Sequence, residues 1–132
     1  ELARLYGYLY QQTDKNFMIV HSLDGYDEIS LTSAVKVITN KQEQLVEPEA
    51  LGFKRYRQEE LSGGATLEDS AKIFTNVLSN KGTEAQKNVV LANAGMAIWC
   101  AKPELTREDA MTLAKESMES GKALERFKKL VS

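Results

Sequence analysis

The fold is decided by FMIVHSLDGYDEIS, Phe17–Ser30. Phe17-Met-Ile-Val20 is a short apolar run with branched residues and polar flanks, which predicts a buried strand. Three acids and a histidine follow at once: His21, Asp24, Asp27 and Glu28. Gly25 permits a tight turn between them. Working outward, Leu2, Leu5, Tyr6 and Leu9 recur at helical spacing and predict an amphipathic helix before the strand. Ile29–Thr32 and Ala34–Thr39 carry β-formers with partial alternation and predict further strands, with Gln44–Val46 returning after a turn at 40–43.

Downstream, Pro48 predicts a short helical turn that Gly52 stops by taking φ > 0. Gly63-Gly64 punctuates the chain, dividing a mixed α/β stretch, 1–62, from a helical stretch, 63–132, within a single α/β unit. Thr66 and Thr106, each three residues before an Asp, predict helix starts. A third helix is expected from Thr83 to about Cys100. Its centre, Val89–Ile98, is apolar on nearly every side and reads as a core helix. Gly95 costs that helix about 1 kcal/mol relative to Ala, so close packing is its expected reason. Asn88 and Asn93 lie inside the same helix. A buried Asn must be hydrogen-bonded, so they tie the helix to the sheet loops or reach a ligand. Gly121 interrupts the last helical stripe. The expected fold class is therefore α/β, a partial sheet with covering helices.

Bulk properties bound the function. The chain has 132 residues, 42% hydrophobic and 27% charged, with a formal charge of -2. That is one modest soluble domain. It lacks the Lys and Arg surplus of a nucleic-acid binder. No apolar run approaches a membrane span. The single cysteine, Cys100, excludes an internal disulfide, and one His with one Cys disfavours a zinc site. The chain does not begin with Met and opens in mid-pattern, so it is expected to start inside a longer protein. The lone cysteine fits a reducing compartment, and the expected location is the cytoplasm.

The acidic loop has two readings. Clustered carboxylates repel and need a cation, basic partners or full exposure. Mg²⁺ suits them: it takes one or two carboxylates, keeps several waters and accepts phosphate oxygens for the rest. If the first strand is parallel, the loop lies where ligands bind open α/β sheets. The other reading is a plain Asp-Gly turn with solvated acids. The loop lacks EF-hand order. His21 either contacts a substrate or fixes the loop. Lys54–Arg57 reads as a solvated strand face before it reads as a phosphate site. Lys81–Thr83 reads as a helix end followed by a helix cap, with no P-loop.

Three segments in order resemble anthranilate phosphoribosyltransferase. FMIVHSLDGYDEIS is similar to the family's VHG-x-DG-x-DE segment. KGTEAQKNVVLANAGMAI resembles its Gly-led helix with N-A-x-x-A, and AKESMESGKAL its closing A-x-x-x-I-x-S-G-x-A element. Spacing agrees over nearly all of the chain. Nucleoside phosphorylases share the broad fold but resemble these motifs less. The resemblance implies a Mg²⁺-dependent transfer of phosphoribose from phosphoribosyl pyrophosphate to anthranilate, in tryptophan biosynthesis, by an enzyme commonly homodimeric. It implies that Asp27 and Glu28 hold the metal on the pyrophosphate side, that Asp24 orients the loop and that His21 lies near the substrate. No side chain is assigned as a covalent or acid/base catalyst. Ser22 stands where the family commonly has Gly.

The family's Gly-Thr-Gly-Gly-Asp phosphate loop, Asn-x-Ser-Thr segment, anthranilate-holding arginine and N-terminal helical domain have no counterpart here. The expected identity is thus the carboxy-terminal part of the large α/β domain, inactive by itself and with at most weak Mg²⁺–pyrophosphate affinity. The alternatives are a non-catalytic structural or interaction fragment and a related phosphoribosyltransferase with another acceptor.

Overall fold

In the computed structural model, which describes residues 1–132, three short strands form an antiparallel meander in the order β1-β2-β3. They are β1 (Met18–Ser22), β2 (Val35–Thr39) and β3 (Glu43–Val46). Val20 pairs with Val37, and Val37 with Gln44. Alternation along β2 sorts the two faces of the sheet. Val35 and Val37 are almost fully buried and join a core with Ile29, Leu31, Val46, Leu51, Tyr56, Ala85, Ala92 and Met96. Ile38 points the other way, beneath α1 (Leu2–Gln11). There a Cβ on Gly7 would sit 3.4 Å from Ile38 Cγ2, so the helix backbone lies close over the strand.

The remaining helices are α2 (Leu67–Leu78), α3 (Glu84–Ala101), α4 (Arg107–Glu119) and α5 (Lys122–Val131), with 3₁₀ turns at Pro48–Leu51 and Gln58–Leu61. The starts of α2, α3 and α4 have local causes. Thr66 and Thr106 Oγ1 accept from the Asp69 and Asp109 N–H groups. Thr83 and Gln86 cap each other's backbone N–H, a full capping box. α3 is the core helix its composition predicts, contributing Ala85, Ala92 and Met96 to the sheet side. Against α4 it presents Gly95, where an added Cβ would fall 2.2 Å from Met111 Sδ and 3.1 Å from Met111 Cα. The Trp99 indole N–H donates to Leu105 O at 3.1 Å and closes the α3–α4 turn. Phe74 and Phe127 meet edge-on, 4.9 Å apart, between α2 and α5.

Two expectations change, one open condition is settled and one apolar face is left uncovered. Ile29–Thr32 is not a strand: Leu31 takes φ 58°, which ends any extended run, and Ile29, Ser30 and Leu31 are all buried within an irregular loop. β1 runs antiparallel to its neighbour, so within this chain the crevice rule for parallel strands does not apply. Lys54–Arg57 is not a strand face, because Tyr56 turns inward to 4% exposure between ion-paired neighbours. The apolar stripe of α1 is not covered: Leu2, Leu5 and Leu9 are 67%, 56% and 57% exposed. Gly52 ends the first 3₁₀ turn at φ 83° as expected. No helix is long and apolar enough to cross a membrane.

Candidate functional site

The acidic loop is built on Ser22, the last residue of β1, whose side chain is fully buried. Its hydroxyl donates to Glu28 O at 2.6 Å and accepts from the Ser30 N–H at 3.2 Å. Its backbone N–H donates to Tyr26 O at 2.9 Å, and its carbonyl accepts from Gly25 N–H at 3.0 Å. Gly25 makes this tight reversal at φ 98°, a conformation costly for a residue with a Cβ. The loop therefore folds back on the strand end instead of projecting from it.

A second anchor comes from α3. Asn93 Oδ1 accepts from the Ile29 N–H at 3.0 Å, and its Nδ2 donates to Ile29 O at 2.8 Å. One amide thus satisfies both backbone groups of a residue that is 2% exposed. Of the two roles open to Asn93 from sequence, the tie to the sheet loop is the one observed. Asn88 also bonds internally: its Nδ2 donates to Tyr56 Oη at 2.7 Å, and that hydroxyl donates to Glu84 Oε1 at 3.0 Å. Lys54 lies 3.3 Å from the same carboxylate. Hydrogen bonds from Tyr56 and Lys54 hold the Glu84 carboxyl below the usual carboxylate range, while burial pushes the Tyr56 phenol up.

The four candidate residues divide into two groups. Asp24 is turned back into its own loop, accepting from Ser30 Oγ at 3.2 Å and from Thr32 Oγ1. Partial burial pushes its pKa up, but hydrogen bonds from Thr32, Ser33 and Ser30 outweigh that and hold the carboxyl below its ordinary value. Asp27 is different: its side chain is fully exposed, with His21 Nδ1 3.7 Å away, beyond hydrogen-bond reach. Glu28 is also exposed. Neither carboxylate has a Lys or Arg partner.

The chain therefore brings His21 to Asp27 and leaves Asp24 apart from the Asp27–Glu28 pair. No three His, Cys, Asp or Glu side chains converge as a metal cage. Two uncompensated carboxylates on adjacent residues are hard oxygen donors. They fit a Mg²⁺ ion completed by water and phosphate oxygens, and they do not fit a closed protein-only site. The principal grooves lie elsewhere; the one of about 430 Å³ runs between Leu51, Phe53, α3 and α4.

Ser22, Ser30, Thr32 and Ser33 were not singled out in the sequence as supports. The one available signal was Ser22, standing where the resembling family commonly has Gly. The lesser candidates have structural duties. Arg55 pairs with Glu47, and Arg57 with Glu60 at 3.4 Å. Asn80, at φ 57°, and Thr83 cap the junction of α2 and α3 around Lys81. Cys100 is half-buried, and burial pushes its thiol up.

Known proteins resemble the chain along the same lines. The profile described as "Glycosyl transferase family, a/b domain" matches residues 1–124. The chain belongs to that family. It is 58% identical over 131 residues to the anthranilate phosphoribosyltransferase of Cytophaga hutchinsonii, covering 99% of this chain and 40% of that protein. To the anthranilate phosphoribosyltransferase of Bacteroides thetaiotaomicron it is 55% identical over 130 residues, covering 98% and 39%. The motif resemblance is thereby borne out, and the chain spans about 40% of the length of these curated relatives.

Solved structures agree on the fold of this glycosyl transferase a/b domain. Anthranilate phosphoribosyltransferase from Saccharomyces cerevisiae, in complex with PRPP and Mg, superposes with a TM-score of 0.81 at 21% identity, over 94% of this chain and 36% of that one. The enzyme from Thermus thermophilus gives 0.76 at 26% identity, over 86% and 34%. The expected partial α/β sheet with covering helices stands on both.

Proposed function

We propose that this glycosyl transferase domain is the carboxy-terminal part of an anthranilate phosphoribosyltransferase. In the whole protein it would present Asp27 and Glu28 to a Mg²⁺–diphosphate group of phosphoribosyl pyrophosphate, while phosphoribose passes to anthranilate. The observation that carries this reading is the split within the loop. Asp24 spends its carboxylate on Ser30 and Thr32, whereas Asp27 and Glu28 keep theirs free on a backbone pinned by Ser22 and Asn93.

Each residue then has a distinct duty. Asp27 and Glu28 supply oxygen ligands. Asp24 holds the shape of the turn between Gly25 and Thr32. His21, on the strand end beside Asp27, lines the approach to the diphosphate. A bound divalent ion supplies charge neutralisation of the leaving diphosphate. Pinning the loop in advance removes reorganisation at the moment of reaction, the condition under which fixed charges lower a barrier most. The acceptor contacts and the glycine-rich phosphate loop would come from outside residues 1–132, so this chain alone forms no product.

The test is a Mg²⁺ titration in the presence of pyrophosphate on the intact longer protein, wild type against Asp27→Asn/Glu28→Gln. Loss of two carboxylate ligands is expected to weaken ternary binding by at least about tenfold. Equal affinities would remove the pair from the site. Product formation from anthranilate and phosphoribosyl pyrophosphate by pure residues 1–132 would refute the division of labour.

A further inference from the structure

Two side chains hold the backbone that follows the acidic pair. The Glu28–Ile29 peptide accepts at its carbonyl from the Ser22 hydroxyl at 2.6 Å and donates its N–H to Asn93 Oδ1 at 3.0 Å. The next peptide, Ile29–Ser30, exchanges the two partners. Its carbonyl accepts from Asn93 Nδ2 at 2.8 Å, and its N–H donates to the Ser22 hydroxyl at 3.2 Å. Each plane is thus bonded at both edges, once to the end of β1 and once to α3. A rigid peptide plane held at both edges cannot turn without breaking a bond. The peptide before these two is different. No backbone hydrogen bond reaches the Asp27 carbonyl or the Glu28 N–H, and the Asp27 side chain is fully exposed. Ser22 itself is fully buried, opposite Val35 in the β1–β2 pair. The resembling family commonly has Gly there, so the hydroxyl belongs to this chain and not to the family's pattern.

We propose that Ser22 is a positioning residue for the divalent ion, acting through Glu28 and not through Asp27. The inference rests on the reading of Asp27 and Glu28 as metal ligands. The Ser22 hydroxyl fixes the peptide that leaves Glu28, so this carboxylate starts from a backbone set before any ion arrives. Asp27 starts from a backbone free to turn, and it adjusts to an ion that Glu28 has engaged. Mg²⁺ demands near-ideal octahedral geometry, which favours one ligand held in advance. Without the hydroxyl, the Glu28 carbonyl and the Ser30 N–H lose their partner, and Asn93 alone holds the two planes. Glu28 must then be ordered at the moment of binding, at the expense of affinity. Ser22, fully buried, touches neither the ion nor the diphosphate.

The experiment measures Mg²⁺ affinity in the presence of pyrophosphate, by calorimetry on the intact longer protein. Ser22→Ala should weaken it by about fivefold or more, and amide exchange at Ser30 should quicken by about tenfold or more. With Glu28→Gln already in place, the same change should alter affinity by less than about twofold, because the group it positions is gone. With Asp27→Asn in place, the full loss should return. Phe127→Ala, which removes the edge-on contact with Phe74 between α2 and α5, destabilises the domain elsewhere and should leave the affinity unchanged. Four results would overturn the proposal: wild-type affinity in Ser22→Ala, an equal loss on top of Glu28→Gln, no loss on top of Asp27→Asn, or an equal loss in Phe127→Ala. If Glu28→Gln alone leaves Mg²⁺ affinity unchanged, the metal reading falls and this inference with it. If Glu28→Gln weakens binding and Ser22→Ala does not, only this inference falls.

Discussion

Replacing Asn93 by Ala should loosen the acidic loop from a distance of 64 residues along the chain. The substitution removes the acceptor for the Ile29 N–H, held at 3.0 Å, and the donor to Ile29 O, held at 2.8 Å. Each orphaned backbone group costs about 1–3 kcal/mol if water is excluded and nearer 1 kcal/mol if water replaces the amide. Ile29 is 2% exposed, but Asn93 is only half-buried, so truncation opens a path for water to one of the two groups. The third bond, to Val89 O, adds little, because that carbonyl lies within the α3 hydrogen-bond ladder. The sum is a loss of about 2–4 kcal/mol, or roughly 8–15 °C in Tm for a domain of this size. Urea unfolding followed by helical circular dichroism reads it directly, since single domains of this length usually unfold in one step. Asn93→Asp separates the cause from simple cavity formation. It keeps the acceptor but sets a carboxylate against Ile29 O, so it should match Ala at neutral pH and recover in acid, where the protonated group donates again. A change below about 0.5 kcal/mol in Asn93→Ala, the level of an ordinary surface substitution, would refute the clamp.

Gly95→Ala gains about 1 kcal/mol of helix propensity but drives a methyl into Met111. The 2.2 Å clash with Met111 Sδ and the 3.1 Å approach to Met111 Cα leave a net loss of about 1–2 kcal/mol. Gly95→Ala/Met111→Ala should lose less than the sum of the two single changes, because truncation removes the Sδ clash but not the approach to Cα. Asp24 is depressed in the folded state, so its stabilisation is present above the unfolded value of about 3.8 and disappears as pH falls through the lower folded value. The stability gap between wild type and Asp24→Ala should therefore be constant near neutrality and close in acid. A gap that widens in acid would contradict the Ser30 and Thr32 bonds. Cys100, half-buried with its thiol pushed up, should react with an alkylating reagent at neutral pH about tenfold or more slowly than in the urea-unfolded chain. Equal rates would show that it is not protected.

Local chemistry was legible in the chain itself. The starts of α2, α3 and α4 follow from Thr66, Thr83 and Thr106, because a cap needs only residues three apart. The core position of α3 follows from its composition, and the close approach at Gly95 from its expense within a helix. The acidic loop was identifiable because its residues are contiguous, and the family because three motifs keep their order.

Contacts between distant residues decided the rest. Ile29–Thr32 has the composition of a strand, but Asn93 already occupies the backbone groups of Ile29 that a ladder would use. The antiparallel direction of β1, the inward turn of Asp24 and the bare face of α1 likewise depend on which elements meet. Residue type sets what each group can bond or bury. Only the folded chain settles which of several competent partners lies close enough to be chosen, and at Asp24 and Asp27 that choice left one carboxylate engaged and the other free.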